Sequence, residues 1–290
     1  MTNTLAVQRV AITVHPKNHS ALAFGKKVAQ YLQDRNKEVI LGRMDEVAIQ
    51  EEIQEGGYDL LIALGGDGTM LRAGHLSGPQ DLPILGINMG KFGFLTEINQ
   101  EEWIEAFEQL MAGDFWIEHR MMLDVILWRK EKEQGDWVAL NEAVVSRGEI
   151  VRPIQLEINI NNRHLSTYIA DGIISATPTG STAYAMAAGG PILAPEMQNI
   201  VIVPVAPHLS IEQALVLDGN DTLSITTRTE HKAMLTIDGQ TPMLIKTGDR
   251  VEIRRSEYTV KFIRLQDPGY FYRNLIPYMD QNPSIKDPHG

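Results

Sequence analysis

Five consecutive residues, Gly65-Gly66-Asp67-Gly68-Thr69, combine groups that suit chemistry on a phosphate. They follow an apolar run at 60–64 and precede an apolar stretch at 70–73, a pattern that predicts a strand, a tight turn and a helix. Glycines let an anion approach the peptide N–H groups closely, and a helix N-terminus adds partial positive charge at the same place. The carboxylate of Asp67 repels a phosphate, so it needs a reason to be there. It either holds a divalent cation that accompanies a nucleotide or accepts a proton from a hydroxyl nucleophile.

The same five residues also suit an ordinary turn, in which Asp67 hydrogen-bonds its own backbone. They do not form a Walker A loop, because no Gly-Lys-Ser or Gly-Lys-Thr follows, and they lack the dinucleotide-binding pattern Gly-x-Gly-x-x-Gly. The loop resembles the phosphate site shared by NAD kinases, diacylglycerol-type lipid kinases and 6-phosphofructokinases. That resemblance implies phosphoryl transfer and leaves the acceptor open.

A second group of hydroxyls lies in residues 177–184, Thr-Pro-Thr-Gly-Ser-Thr-Ala-Tyr. Its proline and glycine predict a rigid turn after a strand that ends at Thr177. Ser181 or Thr182 can then cap a short helix that ends at 189–191. Hydroxyls and free N–H groups at a helix start suit phosphate or ribose oxygens, although a capped helix without a ligand is the simpler interpretation.

Two shorter segments carry polar groups at strand ends. Asn141-Glu142 can bind an adenine or amide edge, or ribose hydroxyls, and it can equally be a polar pair that faces water. Asp238-Gly239-Gln240 ends another strand and also suits a plain hairpin turn.

Together these segments closely resemble the NAD kinase family, in that family's order and approximate spacing. The resemblance covers nearly the whole chain, from the first strand to about residue 265, and residues 177–184 are its most specific part. It implies an enzyme that transfers the γ-phosphoryl group of ATP to the 2′-hydroxyl of the adenosine ribose of NAD, giving NADP. It also implies Mg²⁺ or another divalent ion and a homodimer or homotetramer.

Two alternatives remain at this point. A lipid or sugar kinase could share only the phosphate loop, although the acidic charge weighs against a lipid acceptor. A nucleotide-sensing protein could bind NAD without turnover, although a pure anion binder gains nothing from the carboxylate of Asp67.

The resemblance also implies roles for individual residues. Asp67 is the proton acceptor, and Gly68 lies against the ribose and phosphates. Phe94 stacks near the adenine, and Asn141 and Glu142 bind the NAD nucleoside.

Further cofactor contacts are implied in the second half of the chain. Asp171 reaches the nicotinamide side, and Arg152 matches a position where some relatives place a basic or histidine side chain on the cofactor. Ile169 stands where several relatives have arginine, so the diphosphate contact expected there passes to Arg152. The other cofactor-binding residues are Thr179, Thr182, Ala183, Tyr184, Ala185, Met186, Ala187, Ala206, Asp238 and Gln240. The phosphate loop itself consists of Gly65, Gly66, Gly68 and Thr69, and the ligands of the metal are unknown.

The elements that position these residues change in character along the chain. Strands predicted at 9–14, 38–41, 60–64 and 83–88 alternate with helices at 20–35 and 45–54, and a further helix is predicted at 100–111. This alternation predicts a parallel sheet with helices on both faces and a ligand at the carboxyl ends of the strands.

The later part of the chain reads as strands separated by turns, which predicts an antiparallel sandwich. The predicted strands are 120–129, 137–146, 154–160, 164–169, 172–177, 200–205, 222–227, 233–237, 250–255 and 258–265, and the turns are 134–136, 161–162, 219–221 and 247–249. We therefore expect an α/β phosphate-loop domain with a parallel Rossmann-like sheet at 1–99 and an all-β sandwich domain that binds NAD at 100–266. We expect an extended tail, packed back on the fold, at 267–290.

The composition narrows the class of protein. The 290 residues are 43% hydrophobic and 22% charged, as in a soluble globular protein, and the net charge is −11. That charge argues against non-specific binding to nucleic acid or to an anionic membrane. The absence of cysteine excludes disulfides and thiolate chemistry. Neither a signal-peptide pattern nor a run of 18 apolar residues is present, so we expect a cytoplasmic protein.

Overall fold

The computed structural model describes residues 5–90, 93–149, 152–208 and 211–280, without the side chains of 277–280. The chain forms two compact units. The first contains the residues up to 119 and those from 260 onward, and the second contains 120–259.

The first unit begins as an α/β domain. Its strands are β1 (Arg9–Val14), β2 (Glu38–Arg43), β3 (Leu60–Leu64), β4 (Ile84–Asn88) and β5 (Ile98–Asn99). Its helices are α1 (His19–Gln33), α2 (Val47–Gln54), α3 (Asp67–Ser77) and α4 (Trp103–Ala112). The strands are parallel in the order β4-β3-β1-β2, with β5 beside β4, which confirms the predicted parallel sheet. All residues of β3 and β4 are buried, as expected for strands covered on both faces.

The second unit is built from strands. They are β6 (Trp116–Arg129), β7 (Lys132–Ala139), β8 (Glu142–Arg147), β9 (Ile154–Ile160), β10 (Arg163–Ala170), β11 (Gly172–Ala176), β12 (Asn199–Val205), β13 (Leu215–Asp218), β14 (Leu223–Thr227), β15 (Ala233–Ile237), β16 (Met243–Ile245) and β17 (Arg250–Arg264). One antiparallel layer has the order β13-β12-β11-β8-β15-β16. The other contains β10-β9-β14-β17 and the pair β6-β7. Buried side chains from both layers, including Val125, Ile173, Ile225 and Leu235, form one hydrophobic cluster, so the predicted sandwich is confirmed.

Two long strands belong to both units by sequence. β6 begins at Trp116 and β17 ends at Arg264, beyond the limits of the second unit. Phe262, near the end of β17, pairs with Ile84 of β4 in a parallel manner. The boundaries between the two units lie at 119/120 and 259/260, whereas the domain boundaries predicted from the sequence lie at 99/100 and 266/267. Pairing of β17 with β4 returns the end of the chain to the first unit.

The predicted extended tail is wrong for the residues that the structure describes. After a short helix α5 (Tyr184–Ala187) in the second unit, the last element of the described residues is helix α6 (Tyr270–Asp280). Asp267 accepts hydrogen bonds from the Gly269 N–H at 2.9 Å and from the Arg273 guanidinium, so it contacts both the residue before the helix and its first turn. Tyr270 and Phe271 are buried, so this part of the tail packs down as expected. Residues 281–290 lie outside the described part of the chain.

Three further local predictions are wrong. The strand predicted at 137–146 is interrupted between Ala139 and Glu142. The turn predicted at 134–136 lies inside β7, and the chain turns instead at Lys130 and Glu131, whose φ angles are +48° and +59°. The strands predicted at 250–255 and 258–265 form the single strand β17.

Within the described residues, every helix is too short or too polar to span a bilayer.

Candidate functional site

The phosphate loop has the predicted strand–turn–helix geometry. β3 ends at Leu64, and α3 begins at Asp67 immediately after Gly66. A Cβ atom on Gly65 would lie 2.1 Å from the Thr69 hydroxyl oxygen, so only glycine fits there. A Cβ atom on Gly66 or Gly68 would instead meet nothing within 4 Å. Open space therefore adjoins the first turn of α3, where backbone N–H groups lack intrahelical partners and attract an anion.

Asp67 is held by a segment distant in the sequence. Its Oδ2 accepts the Phe94 N–H at 2.8 Å, and its Oδ1 accepts the Leu95 N–H at 3.0 Å. A Cβ atom on Gly93 would lie 2.0 Å from Oδ1, so residues 93–95 enclose the carboxylate closely. Each carboxylate oxygen still has a lone pair that can accept a proton. The carboxylate is therefore oriented by another loop and not by its own turn, a pairing that no local sequence pattern signals.

Two other predicted residues of the first unit have clear positions. Thr69 is buried, and its hydroxyl faces Gly65. Phe94 is half-buried and belongs to the segment 93–95 that binds Asp67. The structure thus brings Gly65, Gly66, Asp67, Gly68, Thr69 and Phe94 together.

In the second unit, Asp238 organises the turn that carries Asn141 and Glu142. Its carboxylate accepts three consecutive backbone N–H groups, from Leu140 at 2.7 Å, Asn141 at 2.9 Å and Glu142 at 2.8 Å. Asp238 has φ of +47°, in the left-handed region that aspartate tolerates. The pairing of β7 with β6 stops at Ala139, and the next three N–H groups along the chain donate to the side chain of Asp238 instead of to a strand.

The hydroxyl-rich turn packs against the same residues. The Thr177 hydroxyl donates to the Leu140 carbonyl at 2.5 Å, and the Thr177 N–H donates to the Asn141 carbonyl at 2.8 Å. A Cβ atom on Gly180 would lie 2.2 Å from the Asn141 carbonyl oxygen, so glycine is required for this approach. The structure therefore brings Asn141, Glu142, Asp238 and the 177–182 turn together.

Arg120 is a buried cation of this cluster that sequence reasoning missed. Its Nη1 donates to the Thr179 hydroxyl at 3.2 Å, and Arg120 as a whole is 2% exposed. It lies within the strand β6, where its position in an apolar sequence carried no motif signal.

Glu142 is the most perturbed acid of the site. Burial, and then the neighbouring charge of Asp238, raise the pKa of its carboxyl to about 8. Its Oε2 is buried and has no hydrogen-bond partner among the described residues. At neutral pH a carboxyl with this pKa is largely protonated and can donate a hydrogen bond to a ligand.

Asp171 forms an ion pair that the sequence did not predict. Its Oδ2 lies 3.0 Å from Nη2 of Arg147, and its carbonyl accepts the Arg147 N–H at 2.8 Å. Ile169, at the position where arginine was expected from the resemblance, is an exposed apolar residue. Arg147 is therefore a further basic group near the predicted cofactor residues.

The remaining predicted cofactor residues differ in exposure. Arg152, Tyr184, Ala187, Ala206 and Gln240 are exposed. Thr182, Ala183 and Met186 are half-buried, whereas the Ala185 side chain packs in a hydrophobic cluster with Ile174 and Val203. Among the described residues, no group of three histidine, aspartate or glutamate side chains is placed to hold a metal ion.

Both halves of the chain match one family. Residues 2–115 match the family model of the ATP-NAD kinase N-terminal domain, and residues 140–265 match that of the ATP-NAD kinase C-terminal domain. An NAD kinase from Chloroflexus aggregans (strain MD-66 / DSM 9485) is 38% identical over 270 residues, which cover 93% of this chain and 98% of that protein. An NAD kinase from Dehalococcoides mccartyi (strain CBDB1) is 37% identical over 272 residues, which cover 92% and 94%.

Solved structures are similar as well. Yeast NADH kinase complexed with NADH matches with a TM-score of 0.83 and 25% identity, covering 97% of this chain and 89% of that chain. An NAD kinase from Archaeoglobus fulgidus in complex with ATP matches with a TM-score of 0.73 and 24% identity, covering 94% and 99%. The second likeness shows a shared fold.

Proposed function

The chain belongs to the NAD kinase family, and we propose that it transfers the γ-phosphoryl group of ATP to the 2′-hydroxyl of the adenosine ribose of NAD, producing NADP. The observation that carries the proposal is the Asp67 carboxylate, oriented by the N–H groups of Phe94 and Leu95 beside the open first turn of α3. This arrangement combines an anion site with a proton acceptor, as phosphoryl transfer to a hydroxyl requires.

In the reaction, the first unit supplies groups for the phosphate chemistry. Asp67 takes the proton of the 2′-hydroxyl while a bond forms between that oxygen and the γ-phosphorus. The bond from the γ-phosphorus to the bridging oxygen breaks, and ADP leaves. Because the transition state is loose, positioning and charge neutralisation contribute more than covalent assistance. The first turn of α3, with Gly66 and Gly68, holds phosphate oxygens through its N–H groups.

The second unit supplies groups for the NAD nucleoside. Asn141 offers an amide, and Glu142, whose pKa is about 8, offers a carboxyl that donates a hydrogen bond at neutral pH. Asp171, paired with Arg147, accepts a hydrogen bond from the nicotinamide end of NAD. Arg147 and Arg152 provide positive charge for the diphosphate.

A divalent ion fits the donor set, although the described residues contain no complete metal site. Mg²⁺ usually keeps several waters and binds together with substrate phosphates, so the triphosphate and water would supply most of its ligands while Asp67 acts as the proton acceptor. When bound, Mg²⁺ neutralises charge on the transferring phosphates. The cytoplasmic location and the homodimer or homotetramer expected from the resemblance remain predictions, and light scattering of the purified protein measures the second.

The alternative in which a lipid or sugar kinase shares only the phosphate loop has little support. The C-terminal domain model matches 140–265, and the two bacterial NAD kinases align over more than nine-tenths of the chain. The alternative of a sensor without turnover leaves the oriented carboxylate of Asp67 without a role.

The test is an assay of the purified protein with ATP, Mg²⁺ and NAD, in which an NADP-specific dehydrogenase detects the product. We expect NADP to form in equal amount to ADP. ATP consumption with diacylglycerol or fructose 6-phosphate but not with NAD would overturn the proposal. NAD binding in calorimetry without any NADP would instead indicate a sensor.

A further inference from the structure

The backbone of Leu95 connects Asp67 to a buried arginine. The Leu95 N–H donates to Oδ1 of Asp67 at 3.0 Å, and the Leu95 carbonyl accepts from Nη1 of Arg264 at 3.0 Å. One residue is thus held on one side by the proposed proton acceptor and on the other by a guanidinium. A shift of Leu95 displaces a hydrogen bond of the Asp67 carboxylate.

Arg264 is itself held firmly. It is 2% exposed, and its Nε and Nη2 donate to the same oxygen, Oε2 of Glu118, at 2.8 and 2.7 Å. The Tyr270 hydroxyl donates to Oε1 of Glu118 at 3.2 Å, and the Tyr270 ring lies 5.0 Å from the guanidinium. The rigid planar fork of an arginine, fixed in this way, sets the position of the carbonyl to which it donates.

Stability alone is a weak explanation for this cluster. Taking a guanidinium and a carboxylate out of water is costly, and replacing a buried ion pair by apolar residues is often neutral or stabilising. The contact from Arg264 to the Leu95 carbonyl gives the pair a second effect, because the neighbouring N–H groups of that segment orient Asp67. Small misplacements of a reacting group have large effects on rate.

We infer that Arg264 is a positioning residue for phosphoryl transfer: clamped by Glu118 and Tyr270, it holds residues 93–95 and through them the Asp67 carboxylate. The inference rests on the proposed function, in which Asp67 accepts the proton. By this inference, the last residue of β17 and the first residue of α6 act on the proposed proton acceptor through Leu95.

The test is a double-mutant cycle on kcat. Arg264→Lys keeps a positive charge near Glu118 but cannot serve both Glu118 and the Leu95 carbonyl. With Asp67 present, we expect kcat to fall by about 10- to 100-fold and KM for NAD to change less than about threefold. In the Asp67→Ala background no carboxylate is left to position, so the same substitution should change kcat by less than about twofold.

Tyr270→Phe is the milder second variant, and it carries the test if the lysine variant does not fold. It removes the hydroxyl bonded to Glu118 and keeps the buried ring. We expect a smaller loss of kcat with Asp67 present, about threefold to tenfold, and again no loss in the Asp67→Ala background.

Arg129→Lys is the matched control. Arg129 also places Nε and Nη2 on one carboxylate, that of Asp249, at 2.8 and 2.6 Å. Its Nη1 donates to the side chain of Gln134, so its hydrogen bonds go to residues outside the proposed site. We expect Arg129→Lys to lower the melting temperature without changing kcat in either background.

Two outcomes would overturn the inference. They are an unchanged kcat for Arg264→Lys and Tyr270→Phe, or an equal fold-loss in both backgrounds, which is the signature of a structural role. Failure of the proposed function is measured separately, in proteins that keep Arg264. In that case the wild type makes no NADP, or Asp67→Ala retains the wild-type rate.

Discussion

Asp67 and Glu142 are carboxylic acids that the chain holds in opposite ways. Asp67 accepts two backbone N–H groups that orient its carboxylate, whereas Glu142 is buried beside Asp238 with one oxygen unpartnered among the described residues. Desolvation, and then the charge of Asp238, favour the neutral form of Glu142. The two environments therefore suit a proton acceptor and a hydrogen-bond donor to the ligand.

The first prediction concerns Asp67→Asn. We expect kcat to fall by about 10²- to 10⁴-fold, the usual size of a general-base contribution, with NAD affinity little changed. Because the amide nitrogen of asparagine cannot accept, one of the N–H groups of Phe94 and Leu95 loses its partner, at a cost of about 1–3 kcal/mol. The melting temperature should therefore also fall by a few degrees. Steady-state kinetics, calorimetry and thermal unfolding measure the three quantities.

Asp59→Asn is the control for this variant. One oxygen of Asp59 accepts the N–H groups of Gln8 and Arg9 at 2.7 and 2.8 Å, in the same unit as Asp67. Because a single oxygen accepts both N–H groups, the amide oxygen of asparagine can keep both bonds, so Asp59→Asn mainly removes a charge. It should lower the melting temperature less than Asp67→Asn and leave kcat unchanged. A near-wild-type kcat for Asp67→Asn at saturating ATP and Mg²⁺ would remove Asp67 from the mechanism, and rescue by raised Mg²⁺ would indicate a metal-holding role.

The second prediction concerns Glu142 and pH. Its pKa is about 8 in the folded protein, against an ordinary value of 4.5, so between these values the folded protein binds more protons at this site than the unfolded protein does. The contribution of Glu142 to the free energy of unfolding therefore decreases as the pH rises from about 4.5 to 8. Glu142→Gln removes this dependence. Thermal unfolding from pH 5 to 8.5 should show the wild type losing stability relative to the variant.

Glu157→Gln serves as the comparison, because the hydrogen bond from Arg228 lowers the pKa of Glu157. Its linked stability change lies at more acidic pH, so this variant should keep the wild-type slope between pH 5 and 8.5. A wild-type slope for Glu142→Gln as well would show that Glu142 is ionised throughout that range.

At the scale of elements, the predicted site residues lie where regular structure stops. α3 begins directly after the glycines that follow β3, and Leu140 and Asn141 separate the end of β7 from the start of β8. At such interruptions, backbone N–H and C=O groups are released from ladders and become available to side chains and ligands. In the second unit Asp238 and Thr177 bind part of these groups and so define the shape of the turn.

The third prediction compares two glycines of this region. Gly68 lies in the first turn of α3 with open space beside it, so Gly68→Ala should leave the melting temperature unchanged or raise it, because alanine favours helix by about 1 kcal/mol. If phosphates occupy that space, the added methyl group should lower kcat/KM for ATP at least about tenfold. Thermal unfolding and steady-state kinetics with varied ATP separate the two effects.

Gly93→Ala provides the contrast, since its Cβ would lie 2.0 Å from Oδ1 of Asp67. This variant should lose both stability and kcat. Full activity of Gly68→Ala would mean that no ligand uses the space beside the first turn of α3.

At the scale of the whole molecule, the chain leaves the first unit once and returns to it. The chain passes from the first unit to the second within β6, after residue 119, and returns to the first unit within β17, at residue 260. α6 then adds the buried side chains of Tyr270 and Phe271. The first unit is thus completed by the last part of the chain. Its sheet is extended by β17, whose Phe262 pairs with Ile84, and Leu95, which donates to Asp67, accepts from Arg264, almost 200 positions after Asp67.

The fourth prediction tests this return with two neighbouring aromatic residues. Phe271 is 4% exposed and Tyr272 is 64% exposed, although both lie at the start of α6. Phe271→Ala should lower the free energy of unfolding by about 3–5 kcal/mol, because it removes a buried ring, and Tyr272→Ala should change it little. Denaturant unfolding of the two variants measures the difference. Equal effects would contradict the burial of this face of α6.

The sequence by itself determined the elements whose signals are local. The apolar run, the glycines and the helix at 60–77 are neighbours in the chain, and so are the proline, glycine and hydroxyls of 177–184, so both turns were predicted where the structure has them. The predicted cap is wrong, because Ala183 and not Ser181 or Thr182 precedes α5. The parallel and antiparallel halves also followed from patterns that repeat within a few residues. The tail was predicted to be extended because it is rich in tyrosine, phenylalanine and proline, whereas its described residues include the helix at Tyr270–Asp280, with Tyr270 and Phe271 buried.

Only the tertiary structure decided which groups these elements hold together. The carboxylate of Asp67 meets its donor 27 residues later, Asp238 binds the Asn141 N–H across 97 residues, and Arg264 meets Glu118 across 146. A carboxylate has the same capacity for hydrogen bonds at every position of a sequence. Its partners and its loss of water, which set the orientation of Asp67 and raise the pKa of Glu142, exist only after distant strands and loops have packed.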